Sequence, residues 1–185
     1  MYQAFQGSNH EVIRVGRKSG DFKVQIEDAS DVAKLFKSIG RFDALTSASG
    51  EVAFTPLTDI KKSHWDMSLH SKLLGQINLV QEALPFINER GSFTLISGIL
   101  GDEQIAAGTI AATVNSALEG FVKSAAYELP KALRINIVSP TLLADSVGTY
   151  GDFFPGFIPV DGEKVGLAFK KSILGIQTGQ MFRVR

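Results

Sequence analysis

Short segments rich in β-branched and aromatic residues alternate with longer amphipathic segments along the chain. This alternation is typical of strand–helix units arranged around a mostly parallel sheet. The predicted strands comprise residues 11–16, 42–47, 92–97, 134–139 and 180–184. The pattern therefore predicts an α/β fold. The length of 185 residues suits a single domain, residues 1–185, with a substantial buried core.

Helices are predicted in the segments between these strands. Asp28 is a capping residue for a short helix that ends near Gly40. Apolar residues recur at three- and four-residue spacing in the longer segments, as on the buried face of a helix. These longer predicted helices cover residues 59–86, 109–129 and 162–173.

Residues 141–159 lack a clear period and are predicted to form a long loop, of the kind that often serves as a substrate lid. Its second half contains Phe153, Phe154 and Phe157. These aromatic side chains either line an apolar substrate pocket or pin the loop onto the core.

Composition excludes several classes of protein. Nineteen Lys and Arg residues balance nineteen Asp and Glu residues, so we expect no binding to nucleic acid or to an anionic membrane surface. Without cysteine the chain forms no disulfide and no thiolate site, and three scattered histidines suggest no metal site. No apolar run reaches the roughly 20 residues of a membrane span, and no signal peptide is visible, so we expect a cytoplasmic protein.

Trp65, Gly75 and Pro85 lie on the long predicted helix, and further landmarks follow in residues 91–97, 117–121, 134–140 and 177–180. The order and spacing of these landmarks resemble the short-chain dehydrogenase/reductase family. The first three residues keep the spacing of the family's long interface helix. The later segments are similar to the strand before the catalytic serine, the helix after the catalytic Tyr-x-x-x-Lys and two further landmarks of the family. The resemblance implies a Rossmann-type, doubly wound parallel sheet that binds NAD(P), and a homodimer or homotetramer formed through the two long helices.

The start of the chain departs from the family pattern. The family's first strand and glycine-rich turn, which place a pyrophosphate at a helix N-terminus, should precede a strand such as 11–16, but only ten residues do so. The resemblance therefore implies an N-terminally incomplete fold that lacks about one strand–helix unit. The strands at 11–16 and 42–47 would lose their shared neighbour, so either they close the gap or the natural product starts upstream.

The catalytic positions also depart from the family. Ala111 stands where the resemblance places the catalytic tyrosine, and Asn115 stands where it places the lysine. Alanine has no proton to donate to a carbonyl oxygen. Ser97 lies one residue before the position of the family's serine, which is Gly98 here, and such a shift along a strand reverses the direction of the side chain.

Lys72 stands where the family usually has an asparagine, so lysine and asparagine have exchanged helices. We hypothesise that Lys72 reaches into the site, forms a hydrogen bond with Asn115 and acts as proton donor or electrostatic clamp. The alternative is a lysine whose ammonium group lies in solvent. The candidate catalytic residues are Lys72, Ser97 and Asn115, and Asp102 is a further candidate base.

The loop after the first predicted strand indicates the cofactor. Two cations and a hydroxyl follow Gly16 where the family contacts the adenosine ribose, and such groups suit a 2′-phosphate. NADP is therefore expected, with NAD as a possibility. The candidate cofactor-binding residues are Gly16, Arg17, Lys18, Ser19, Ser49, Gly50, Pro140 and Thr141.

The resemblance predicts an NADP-linked oxidoreductase that acts on a small carbonyl compound or alcohol with non-standard catalytic residues. Two alternatives stay open at this point. One is a dinucleotide-binding or interaction protein without hydride transfer. The other is a truncated product that does not bind a cofactor.

Overall fold

The computed structural model describes residues 1–185, and its main feature is a four-stranded parallel sheet. The strands are β1 (Val15–Gly16), β2 (Phe22–Lys23), β3 (Phe42–Thr46), β4 (Ile87–Ile96), β5 (Arg134–Pro140) and β6 (Met181–Val184). The main sheet has the order β3-β4-β5-β6, and β1 pairs only with β2. The four later predicted strands are therefore confirmed.

Six helices surround the sheet. They are α1 (Ala29–Ile39), α2 (Lys62–Ser68), α3 (Gly75–Ala83), α4 (Thr109–Glu128), α5 (Val147–Tyr150) and α6 (Gly162–Leu174). The side chain of Asp28 caps α1 by accepting hydrogen bonds from the backbone amides of Ser30 and Asp31, as its sequence position predicts. None of the helices combines the length and the apolar character needed to cross a membrane.

Helices cover both faces of the sheet. Leu95 of β4 and Ile137 of β5 belong to the main core, together with Leu118 of α4. On the other face Val138 packs in a smaller core with Phe169 of α6. Neighbouring residues of β5 thus serve opposite cores, as the alternation of side chains along a strand requires, and the fold is a Rossmann-like α/β arrangement.

The first predicted strand is wrong for most of its length. Only Val15 and Gly16 are in a strand, and they pair with β2 instead of the main sheet. The cause is local, because the Arg14 carbonyl accepts hydrogen bonds from the amides of Asp21 and Phe22, while the Asp21 carboxylate accepts from the Arg14 amide and guanidinium. The segment folds back on itself, and β3 is an edge strand of the main sheet.

The long helix predicted over residues 59–86 is interrupted. A π-helical turn, Leu69–Leu74, separates α2 from α3, and the amide of Gly75 donates to the carbonyl of His70, five residues back. A Cβ atom at Gly75 would lie 2.8 Å from the Ile26 side chain, so this turn packs closely on its neighbour. Trp65, in α2 just before the turn, packs partly buried against the main core.

The segment 141–159 is not a plain loop, because it contains α5 and two short 3₁₀ turns. Its aromatic residues gather around Phe54, with ring centroids 5.5 Å away for Tyr150 and 5.1 Å away for Phe153. Phe154 and Phe157 pack edge to face and contact a small apolar cluster that includes Ala111. The aromatic side chains therefore pin the segment onto the core, and Phe153 and Phe157 also line a cavity.

We expect the substitution Leu95→Ala to lower the free energy of unfolding by about 2–5 kcal/mol, because Leu95 is fully buried in β4. The matched control is Leu57→Ala. Leu57 is 71% exposed, so this change should stay within about 0.5 kcal/mol. Urea unfolding at neutral pH measures both values, and equal effects would contradict the assignment of Leu95 to the core.

Candidate functional site

The carboxyl ends of the parallel strands lie at one edge of the sheet, where ligands of such folds bind. Ser47 follows β3, Ser97 follows β4 and Thr141 follows β5. All three are buried. The candidate residues at this edge are therefore held by the ends of the strands and not by independent loops.

Gln76 of α3 holds the end of β4. Its side-chain amide accepts a hydrogen bond from the Ile96 amide at 3.0 Å and donates to the Ile96 carbonyl at 2.9 Å. It also donates to the carbonyl of Lys72. Strand β3 pairs with β4 only as far as Thr94, so the Gln76 amide replaces the missing strand at Ile96.

Lys72 lies in the π-helical turn and its ammonium group points inward. The Nζ atom donates to the carbonyl oxygen of Ser97 at 3.0 Å. Burial lowers the pKa of Lys72 to about 8, and no other cause contributes. The hydrogen bond predicted between Lys72 and Asn115 is absent: Lys72 donates to the Ser97 carbonyl, and the Asn115 amide donates to the Gly98 carbonyl.

Gly50 lies directly against the helical turn that carries Lys72. A Cβ atom at Gly50 would be 2.5 Å from the Lys72 Cα atom, and the φ angle of +112° also favours glycine. The hydroxyl groups of Ser71 and Ser68 accept hydrogen bonds from the amides of Glu51 and Ala53. The segment after β3 is thus fastened along the helix beside Lys72.

Asn115 of α4 approaches the same strand end from the neighbouring helix. Its Nδ2 atom donates to the Gly98 carbonyl at 3.3 Å, one residue after the carbonyl that binds Lys72. Its Oδ1 atom is buried and has no hydrogen-bond partner. Gly98 is suited to this contact because a Cβ atom there would lie 3.2 Å from the Nδ2 atom of Asn115.

The hydroxyl group of Ser97 binds a carboxyl group of α4. The Oγ atom donates to the Oε1 atom of Glu119 at 3.1 Å, and both residues are buried. Burial raises the pKa of the Glu119 carboxyl, and the hydrogen bond from Ser97 opposes this shift. Gly101 leaves room for the carboxylate, since a Cβ atom there would lie 2.7 Å from Oε1.

Sequence reasoning missed both Glu119 and Gln76 as parts of the site. The available signal was helical spacing, because Glu119 follows Asn115 by four residues and lies on the buried face of α4 with Val122. A polar residue on an apolar helix face needs a polar partner.

Asp102 is held in ion pairs. Its carboxylate lies 2.6 Å from the Nε atom of Arg183 and 3.0 Å from the Nη2 atom of Arg185. The hydrogen bond from Arg183 is the main reason that the pKa of Asp102 is lowered. A carboxylate stabilised in this way is a weak base at neutral pH, which disfavours the role predicted for Asp102.

The predicted cofactor loop lies on the surface. Arg17, Lys18 and Ser19 are exposed, and the Arg17 guanidinium forms ion pairs with Glu27 and Glu51. Because Glu51 follows Gly50, these ion pairs place the loop beside the carboxyl edge of the sheet.

The remaining predicted cofactor-binding residues are at or near strand ends. Gly16 ends β1, and a Cβ atom there would lie 2.6 Å from the carbonyl oxygen of Ser19. Ser49 is exposed and shares a hydrogen bond with Ser47. Pro140 ends β5, and the amide of Thr141 donates to the Val184 carbonyl.

A cavity of about 420 Å³ opens between the segment after β4 and the segment after β5. Most of its lining is apolar, with Asp152 as the charged residue. The lining residues are Gln104, Ile105, Ala106, Ala107, Asp152, Phe153, Pro155 and Phe157. Its size and character fit a small organic ligand.

Residues 6–157 match a family model described as enoyl-(acyl carrier protein) reductase. Trihydroxynaphthalene reductase of Colletotrichum orbiculare is 26% identical over an alignment of 163 positions, which covers 83% of this chain and 57% of that enzyme. The 3-oxoacyl-(acyl-carrier-protein) reductase of Thermotoga maritima is 28% identical over an alignment of 112 positions, which covers 59% of this chain and 46% of that enzyme. The chain thus spans about half the length of these curated relatives. It belongs to the short-chain dehydrogenase/reductase family of oxidoreductases.

Solved structures share this fold. The protein lin1944 from Listeria innocua has 41% identity and a TM-score of 0.95, over 100% of this chain and 91% of that one. A small-chain dehydrogenase in complex with NADPH has 24% identity and a TM-score of 0.84, over 98% and 89% of the two chains. The second likeness supports the fold alone.

We expect Gln76→Met to lower the free energy of unfolding by about 2–5 kcal/mol, because Gln76 is fully buried and the substitution removes the hydrogen-bond partner of both the amide and the carbonyl of Ile96. Gln81→Met is the matched control, since Gln81 is exposed on the same helix. Denaturant titration of both variants measures the difference. A cost no greater than that of the control would show that Gln76 does not replace a strand.

The lowered pKa of Lys72 predicts how the free energy of unfolding depends on pH. Between pH 8 and its ordinary pKa of 10.5, the folded state has lost the Lys72 proton that the unfolded state retains. Stability must therefore rise with pH relative to Lys72→Met, by at most about 1.4 kcal/mol per pH unit. Below pH 8 the difference between the two proteins should be constant. Chemical denaturation at a series of pH values measures this difference, and a flat difference between pH 8 and 10.5 would contradict the lowered pKa of Lys72.

Proposed function

We propose that this chain is an NADP-linked oxidoreductase that reduces a small carbonyl compound, or oxidises the corresponding alcohol, with Lys72 in place of the family's tyrosine as proton donor. The observation that carries the proposal is the inward-facing Lys72 ammonium group. It is anchored on the Ser97 carbonyl at the carboxyl edge of the sheet. The relatives are reductases, which favours this reading over a binding or interaction protein without catalysis.

The residues present suit NADP. Arg17, Lys18 and Ser19 offer two cations and a hydroxyl on one exposed loop, which is the donor set that a 2′-phosphate needs. Gly50 exposes its backbone beside Lys72, and Ser49 adds a hydroxyl. In this proposal Gly16 shapes the turn of the phosphate loop. Pro140 and Thr141 border the nicotinamide end, as the family resemblance implies.

When bound, NADPH supplies a hydride to the carbonyl carbon. The oxygen that becomes negatively charged needs a proton, which the Lys72 ammonium group donates. The resulting neutral amine then takes a proton from water. A pKa of about 8 suits this exchange, because both protonation states of Lys72 are accessible near neutral pH.

Ser97 and Asn115 are assigned positioning roles. The Ser97 carbonyl fixes the ammonium group, whereas its hydroxyl is engaged by Glu119. The unpaired Oδ1 atom of Asn115 supplies an acceptor for a substrate hydroxyl. The cavity beside Phe153 and Phe157 is proposed to hold the body of the substrate.

We also propose that residues 1–185 form one domain that works in the cytoplasm as a homodimer or homotetramer through the helices α2 to α4. Met67 and Leu74 support this assembly, because both are apolar and exposed on the helices before α4.

Thermal unfolding tests the cofactor. NADPH at 100 times its Kd should add about 2.7 kcal/mol of stability, and NADH at the same concentration should add less. A folded protein that shows no shift with either nucleotide would refute the cofactor assignment.

Turnover tests the role of Lys72. NADPH oxidation is followed with a panel of small aldehydes and ketones, and Lys72→Met should reduce kcat/KM by about 10²–10⁴ while leaving NADPH binding intact. Lys62→Met, on the exposed side of α2, is the matched control and should keep full activity. Undiminished turnover by Lys72→Met would exclude Lys72 as the proton donor.

A further inference from the structure

Arg17 is shared between two carboxylates from different parts of the chain. Glu27 lies just before α1 and Glu51 lies just after Gly50, and both form ion pairs with the Arg17 guanidinium. The longer contact joins the Nη1 atom of Arg17 to the Oε1 atom of Glu51 at 3.6 Å. Arg17, a cation on the loop assigned to the 2′-phosphate, is therefore already paired with two carboxylates from outside that loop.

The two carboxylates differ in their freedom to move. The Glu27 side chain is 25% exposed, and its Oε2 atom is buried without a partner. Arg17 is the only ion-pair partner of both residues, but the Glu51 side chain is 69% exposed and its contact with the guanidinium, at 3.6 Å, is the longer one. Glu51 is thus the carboxylate that leaves easily when another anion approaches Arg17, whereas Glu27 is held in place.

The backbone of Glu51 stays fixed when its side chain moves. Its amide donates to the Ser71 hydroxyl at 3.1 Å, and Gly50 before it packs against Lys72. Displacement of the carboxylate therefore needs only rotation about side-chain bonds. A substitution that keeps the size of Glu51 should leave the neighbouring Lys72 region unchanged.

We propose that Glu51 is a specificity-determining residue that competes with a 2′-phosphate for Arg17 and so limits the preference of this protein for the phosphorylated adenosine ribose. The inference rests on the cofactor loop assigned under the proposed function. A ligand with the phosphate must displace Glu51, and a ligand without it leaves the ion pair in place. Glu51 thus reduces the discrimination that Arg17, Lys18 and Ser19 provide.

Two nucleotide fragments distinguish an effect on binding of the 2′-phosphate from an effect on binding of the rest of the nucleotide, and neither measurement requires turnover. The probes are 2′,5′-ADP and 5′-AMP, which differ only in the 2′-phosphate, and their Kd values are measured by isothermal titration calorimetry. Glu51→Gln should bind 2′,5′-ADP about two- to fivefold more tightly, as expected for loss of an exposed competing ion pair. Binding of 5′-AMP should not change. Glu163→Gln removes an exposed carboxylate from α6 and is the matched control for net charge.

Variants of Arg17 distinguish failure of the inference from failure of the cofactor assignment. Arg17→Ala should raise the Kd for 2′,5′-ADP by about tenfold or more. In the Arg17→Ala protein, the additional change Glu51→Gln should leave this Kd unchanged. If Arg17→Ala has no effect on 2′,5′-ADP, the cofactor loop itself is wrongly assigned. If Arg17→Ala weakens binding but Glu51→Gln leaves it unchanged, the competition is refuted. The competition is also refuted if Glu51→Gln tightens the binding of 2′,5′-ADP and 5′-AMP equally, because the effect would then not depend on the 2′-phosphate. It is refuted as well if Glu163→Gln tightens 2′,5′-ADP binding by the same factor, because the effect would then come from the net charge of the protein.

Discussion

The side chain of Gln76 takes the place of a neighbouring strand beyond the end of β3, and the candidate site depends on this replacement. The Gln76 amide forms hydrogen bonds with both backbone groups of Ile96, so the hydrogen bonding of β4 continues past Thr94, where β3 stops pairing with it. The next carbonyl, that of Ser97, is thereby presented to Lys72 of the same helical segment. The end of β4, the π-helical turn and the inward-facing amine of Lys72 are therefore joined by hydrogen bonds into one unit.

Much of the fold was accessible from the sequence, because hydrophobic period and capping are local properties. Helix α4 and strand β5 were placed nearly to the residue, since each has a strong period and a clear stop. The prediction for residues 11–16 failed because alternation predicts an extended backbone but does not say whether a partner strand is present. Only Val15 and Gly16 pair with another strand, and the nearby ion pair of Arg14 with Asp21 joins exposed residues that carry no hydrophobic signal.

The site was accessible in part. The resemblance indicated that lysine and asparagine have exchanged helices, and Lys72 and Asn115 do approach consecutive carbonyls at the end of β4. Their exact partners could not be predicted, because a π-helical turn displaces side chains relative to a continuous α-helix and leaves no clear mark in the sequence. Glu119 and Gln76 were missed because each lies among apolar residues on the buried face of its helix, and an analysis of hydrophobic period considers only the apolar positions.

Trp65 is the only tryptophan of the chain, and it lies in α2 just before the turn that carries Lys72. Its indole is partly buried against the main core, so its emission is sensitive to local packing and polarity. Tryptophan fluorescence of the unlabelled protein therefore reports on one segment, the helix of the candidate catalytic amine. The chain thus carries an intrinsic fluorescent probe next to the turn of Lys72, where a rearrangement of the candidate site would change the surroundings of the indole.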